Sequence, residues 1–265
     1  MATSGSVDFN ATRNDIITEA LELLGVLGEG ESPNADQITS SARTLNMMIK
    51  SWQNRCKGLH VMQDLYVFLD GTSQFFTMDG STDHISSSYS KTSTTAAASS
   101  GASTLTVATI TGFSNGDFIG VELDDGTRQW TTINGAPSGT TITLTATLTD
   151  DVASGNTVVA YTSKANNPYR IDGAYIQNIS TPTTPVDTPI RIINRMDHVD
   201  LSNKTATGRP TQIYPDYQRT STKLYVWPVA DSVDHVLGLK AWRTIEDFDA
   251  DDDADFPAEW YLPRS

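Results

Sequence analysis

The sequence predicts an α+β fold: an N-terminal helical hairpin packed with a β-strand platform, and a small all-β domain, barrel or sandwich, inserted into that platform. Three observations predict it. Residues 34–59 carry apolar side chains at helical spacing, the stretches after Gly58 change to a period of two, and the composition between His84 and Lys164 shifts to Ser, Thr, Ala and Gly while the alternation persists. The organisation that follows is 1–83 for the hairpin and the start of the platform, 84–164 for the insert, and 165–265 for the rest of the platform, an acidic loop and the start of a C-terminal helix.

The helical pattern is clearest in Ile38, Ala42, Leu45, Ile49, Trp52, Cys56 and Leu59, which alternate in steps of four and three and so share one stripe. Ser32 before Pro33 predicts the N-cap, and Gly58 predicts the left-handed residue just past the C-terminus. Upstream, Thr12 and Asp15 form a capping-box pattern, opening a first helix through Leu27 with Ile17, Ala20, Leu24 and Leu27 on one face. Gly25, Gly28 and Gly30 end it, so the two helices are expected to form an antiparallel hairpin with apolar surface left over for a third helix or a neighbouring subunit.

Strand signals follow. Leu65 to Leu69 and Gln74 to Met78, joined by Asp70-Gly71, predict a hairpin. Within the insert, Ala96 to Gly101 reads as a flexible entry segment. Alternation then marks Leu105 and Val107, Ile119 to Leu123, and Ile142 to Leu148, with Asn115-Gly116, Asp125-Gly126 and Asn134-Gly135 as turns; adding Arg128 to Ile133 and Thr157 to Tyr161 gives about five short strands. Beyond Pro168 the pattern predicts strands at 170–176, 190–194, 212–218, 223–227 and 233–245 and no clear helix. Pro210, Pro215 and Pro228 place some of these at edges or turns. The insert is nearly charge-free and the outer β region is rich in Arg, Tyr and Pro, so the two are expected to fold as separate units.

Charge and composition narrow the function classes. A net charge of −14 argues against a conventional duplex-binding surface, because phosphate neutralisation needs clustered positive charge. The single cysteine, Cys56, permits neither an intrachain disulfide nor a thiolate metal cluster, and its stripe position suits a buried structural thiol. No apolar run is long enough to span a membrane, and the N-terminus lacks a secretory pattern.

Motifs with chemistry are sparse. Asp247, Asp249 and Asp251 match the first ligands of an EF-hand loop, but its sixth position is Asp252 instead of Gly and its twelfth is Ala258, with Glu259 one place late. Residues 246–255 therefore read as a solvated acidic loop. His60, His84, His198 and His235 have no zinc-hydrolase spacing, no G-x-S-x-G elbow is present, and Gly25 to Gly28 and Gly112 to Gly120 lack the context of a phosphate loop and read as turns. Tyr214, Tyr217, Tyr225, Trp227, Trp242, Trp260 and Tyr261 offer a sugar or base platform as one reading, core or subunit interface as the other. No catalytic, cofactor-binding or metal-binding residue is assigned, and no cofactor or enzymatic activity is expected.

One order of short motifs carries a resemblance. Ser51-Trp52-Gln53-Asn54-Arg55 and Gly58-Leu59 close the helices; Asn203-Lys204, Gly208-Arg209-Pro210 and Leu224-Tyr225-Val226-Trp227-Pro228 follow, then Phe256-Pro257-Ala258-Glu259-Trp260. This order, over most of residues 10–83 and 165–262, resembles the tail accessory factor of P22-like short-tailed bacteriophages, a head-to-tail adaptor. The resemblance does not extend to the insert. It implies a virion protein at the head-to-tail junction, assembled in the host cytoplasm as a homo-oligomeric ring, usually of twelve copies. Its implied partners are the portal protein and the tail nozzle, needle or fibre proteins. Double-stranded DNA would pass through without specific binding, which an acidic wall favours by repelling phosphates. Family members continue into further helix beyond the equivalent of Glu259-Trp260, which docks on the portal; here the sequence ends at Ser265. The alternative reading is a cell-wall-degrading or glycan-binding tail component, in which the insert and the acidic loop do the work.

Overall fold

A computed structural model describes residues 12–28, 30–55, 61–180 and 186–243. The expectations for Cys56, Gly58, His60, the acidic run and the C-terminal helix start lie outside these residues. The fold is mixed and strand-rich, with several sheets and a few helices. The chain divides into two units, residues 1–61 with 244–265, and residues 62–243.

In the first unit, α1 (Arg13–Leu23) begins with the expected capping box: the Thr12 hydroxyl accepts the Asp15 N–H, and the Asp15 carboxylate accepts the Thr12 N–H. It stops one turn before Leu27. Gly25, at φ 70°, donates to the Glu22 carbonyl and Val26 donates to that of Leu21, a Schellman closure that only an unhindered left-handed residue makes cheaply. The second helix, α2 (Ala35–Arg55), packs on α1. Its cap is Asn34 instead of Ser32: Asn34 and Gln37 exchange side chain to backbone hydrogen bonds of 2.8 and 2.9 Å. Ser32 is followed three residues later by Ala35, which has no side-chain acceptor to return the bond, so the reciprocal pair wins.

The second unit opens with β1 (Val61–Phe68), β2 (Phe75–Met78) and β3 (Ile85–Ser86). The insert holds β4 (Ser90–Ser93), β5 (Thr104–Thr106), β6 (Phe118–Glu122), β7 (Arg128–Thr132), β8 (Thr141–Thr143) and β9 (Thr157–Tyr161). After it come β10 (Arg170–Asn178), β11 (Asp187–Pro189), β12 (Arg191–Ile192), a short helix α3 (Arg195–Val199), β13 (Gln212–Tyr217), β14 (Thr222–Trp227) and β15 (His235–Arg243).

Two sheets, ordered β11-β10-β15-β1-β3 and β12-β13-β14-β2, enclose one core that includes Leu65, Val67, Phe76, Ile176, Leu224 and Leu239. The expected β1–β2 hairpin does not form. The Asp70 carboxylate accepts from Thr72 N, Ser73 N and Ser73 Oγ, and this turn carries the chain from the first sheet to the second. The turn dipeptide was legible; its partner strands were not. Pro215 lies inside β13 without breaking a ladder. Thr211 and Ile213 turn their carbonyls to β12, and Pro215 shares their parity, but β12 pairs only as far as Ile213. Its missing N–H therefore faces no strand. The helix α3 is an unexpected element; Asn194 caps it by accepting from Met196 N and Asp197 N.

The insert consists of the sheet β4-β9-β6-β7 and the ribbon β5-β8 around its own core, which includes Leu105, Ile119, Val121, Ile142 and Val158. Gly116, Gly126 and Gly135 take φ of 87°, 82° and 82° at the three expected turns. The segment 96–101 is not free. Ala98 and Val152 exchange backbone hydrogen bonds, and Gly101 N donates to Leu148 O.

No strand pairing joins the insert to the first platform sheet; side chains do. Phe68, Val159, Tyr161, Ile179 and Val236 form a third cluster, flanked by Tyr66, Tyr89, Phe118 and Trp130. Gly120 shows how closely this seam is filled, since a Cβ there would lie 2.8 Å from Arg128 Cδ and 2.8 Å from the Trp130 ring, its cross-strand partner. That corrects its reading as part of a turn. We expect Gly120→Ala to lower stability by about 1–3 kcal/mol in urea denaturation, through overpacking; an unchanged midpoint would show that the seam has slack.

Candidate functional site

Among the described residues no three His, Cys, Asp or Glu side chains gather as a metal-ligand set. The three described histidines have unrelated surroundings. His84, just before β3, stacks on Trp130 with ring centroids 3.8 Å apart and planes 2° from parallel, and its Nδ1 is 2.5 Å from the Tyr161 hydroxyl. Burial, then the charges of Lys164 and Arg128, push its pKa down to about 4, so the ring is neutral at pH 7. His235 is lowered chiefly by burial and then by Arg209, with its Nδ1 buried and unbonded. His198 sits on α3 against Tyr214.

That contact belongs to a cluster of four rings on the second sheet. Phe75 on β2, Tyr225 on β14 and Tyr214 on β13 are successive cross-strand partners, and His198 packs against both tyrosines, 5.1 Å from Tyr214 and 4.9 Å from Tyr225. A platform for sugars or bases needs ring faces turned to solvent. Here Tyr214 and Tyr225 lie 20° from parallel at 5.7 Å, and His198 lies 28° from Tyr214 at 5.1 Å. His198, Tyr214 and Tyr225 half-bury one another, whereas Phe75 is tilted 45° from Tyr225 and 41% exposed, with Lys223 Nζ 5.1 Å over its ring. Much of the π surface is thus used internally, as in a cross-strand ladder. The other aromatics are occupied separately: Tyr217 Oη accepts the Ile171 N–H, Trp227 Nε1 donates to Asn203 O, and Trp242 Nε1 donates to Asp172. Trp260 and Tyr261 lie outside the described residues.

Three of the motifs behind the family resemblance come together in space. The loop 203–208 runs beside the end of β14, with the Trp227 Nε1 to Asn203 O bond at 2.8 Å and Gly208 N donating to Val229 O at 2.9 Å. Lys204 Nζ closes α3 by donating to the carbonyls of Val199 and Leu201, and Arg209 reaches Thr188 Oγ1 at 2.7 Å. These residues hold the platform's fold, and none presents a group placed for catalysis.

Large apolar side chains stand in solvent on both units: Met62, Phe75, Tyr169, Val186, Met196, Val199 and Tyr217 are scattered over the second, and the hairpin carries a set of its own. Ala42 and Ile49 of the α2 stripe are buried, Ile38 and Leu45 half-buried, but Trp52 is 47% exposed. Met47, Met48, Leu23, Leu24 and Val26 are also exposed, in a unit whose described buried apolar residues are only Ile17, Ala42 and Ile49. The periodic stripe located Trp52, whereas Met47 and Met48 lie off it and Leu23 off the first helix's predicted face. No family model matches the chain, and no curated protein matches it.

Because half of Trp52 already faces solvent, Trp52→Ala is expected to change the stability of the isolated chain by less than about 1 kcal/mol, against the 3–5 kcal/mol of a buried tryptophan. Thermal denaturation at low protein concentration measures this. A large loss would place Trp52 in the fold and not on its surface.

Proposed function

We propose that the protein is a structural virion component, a head-to-tail adaptor that assembles as a ring between the portal and the tail of a short-tailed phage and passes DNA at ejection. The observation that carries this reading is the exposed apolar set on the helical hairpin, led by Trp52 at 47% exposure. A monomer gains nothing by leaving Leu23, Leu24, Met47 and Trp52 in water, while a ring buries such a surface in each head-to-tail contact. In this reading the hairpin makes the ring contacts, the two-sheet platform carries the tail-facing surfaces, and the insert projects from the ring. The order of short motifs shared with tail accessory factors supports the same assignment. The charge of −14 suits a wall along which DNA slides without binding.

The glycan-binding alternative gains little from the aromatic cluster, in which Tyr214 and Tyr225 are half-buried against His198 and Phe75 alone is exposed. The proposed role is therefore structural, without a cofactor.

The experiment is electron microscopy of the protein mixed with its portal, comparing the wild type with Trp52→Ala. Rings docked on the portal in the wild type, with ring yield reduced at least roughly tenfold in the variant, are expected for an aromatic anchor in an interface. A chain that stays monomeric beside the portal and is missing from purified particles by mass spectrometry would overturn the proposal.

A further inference from the structure

The seam between insert and platform combines features that a permanent junction would not need. The insert has its own core, and no strand ladder crosses to the first sheet, so it can part from the platform without losing a backbone pair. Residues 87–164, after β3, contain three Lys or Arg, and every one donates to a platform carbonyl: Lys91 Nζ to Ile179 O at 2.9 Å, Arg128 Nη2 to Val233 O at 2.6 Å, and Lys164 Nζ to Ser81 O and Thr82 O at 2.6 and 3.0 Å. Such bonds are replaceable by water. Arg128 is buried beside Phe68, yet its Nε and Nη1 have no partner, so docking withholds hydration that undocking would restore. His84 is likewise held across the seam, between Trp130 and Tyr161 of the insert.

We propose that this seam is a releasable latch: the insert docks on the outer face of the β1-containing sheet and parts from it as a folded body, with Arg128 and His84 gaining water when it does. This inference does not depend on the adaptor reading. Acid favours the open state. The groups facing His84 are Tyr161 on β9, Arg128 and Trp130 on β7, Phe118 on β6 and Lys164 after β9; the two cations oppose its protonation, and no carboxylate is among the groups that shift it. A histidine lowered from 6.5 to about 4 in the docked state stabilises docking above its ordinary value, and that stabilisation is lost as pH falls from about 6.5 towards 4. Between pH 7 and pH 4.5 the open population rises roughly fifty-fold by this linkage.

The test uses two neighbours on opposite faces of β9. Val159 faces the seam and Val158 the insert's own core, and both are fully buried. In the full chain with Cys56→Ser, Val159→Cys and Val158→Cys are labelled separately with 4,4′-dithiodipyridine, which reacts at acid pH. Each rate is corrected for the reagent's own pH dependence on a denatured control. Residue 159 is expected to react at least about tenfold faster than 158, because it needs only local opening. Acid should accelerate labelling at 159 and not at 158, and His84→Phe, which keeps a ring on Trp130, should remove that acceleration. Arg128→Met, which removes the incompletely bonded guanidinium, should slow labelling at 159. Equal rates at 158 and 159 would mean that the seam opens only with global unfolding. Acid acceleration that survives in His84→Phe would remove His84 from the latch.

Discussion

Strand β9 is buried on both faces, and the arrangement of the second unit depends on that. Val158 and Ala160 face the insert's own core, whereas Val159 and Tyr161 face Phe68, Ile179 and Val236. A strand with one solvated face would alternate apolar and polar residues; β9 reads Thr-Val-Val-Ala-Tyr, with every residue buried. The docked state survives its incompletely bonded guanidinium because of magnitude. Burying five side chains of the Phe68 cluster is worth on the order of 10 kcal/mol in transfer terms, against several kcal/mol for desolvating an incompletely bonded Arg128.

The same economy governs charge. The insert commits its three basic side chains to platform carbonyls, leaving the rest of its surface to hydroxyls and acids. On the platform, Tyr214, Tyr225 and His198 pack on one another, while Phe75, Tyr169, Tyr217 and Met196 stay exposed around a large core. The hairpin differs in proportion: six of its large apolar side chains are exposed against three described buried apolar residues, and that imbalance is why assembly is the function proposed.

Local signals in the sequence were read well and long-range pairing was not. The capping box at Thr12 and Asp15, the three Asn-Gly and Asp-Gly turns of the insert and the alternating strands are written in neighbouring residues, so they are legible. The partner of β1 is not, because Asp70-Gly71 has the chemistry of a hairpin turn yet serves a crossover between sheets. Gly120 looks like one more turn glycine until Trp130 is seen lying over it. Arg128 gave no signal at all: an arginine at the start of a short strand carries nothing local to announce its burial. Of the candidate surface, Trp52 was visible through its place in a periodic stripe, whereas exposure of Leu23, Met47 and Met48 depends on what the rest of the chain fails to cover.

The account rests most heavily on the hairpin surface being covered in the assembled particle. Hydroxyl-radical footprinting of the free chain and of purified virions, read by mass spectrometry at Met47, Met48 and Trp52, measures that cover directly. The account predicts that all three are oxidised readily in the free chain and protected in the particle. Equal oxidation in both states would contradict it, since the apolar face would then remain in solvent where a ring contact is required.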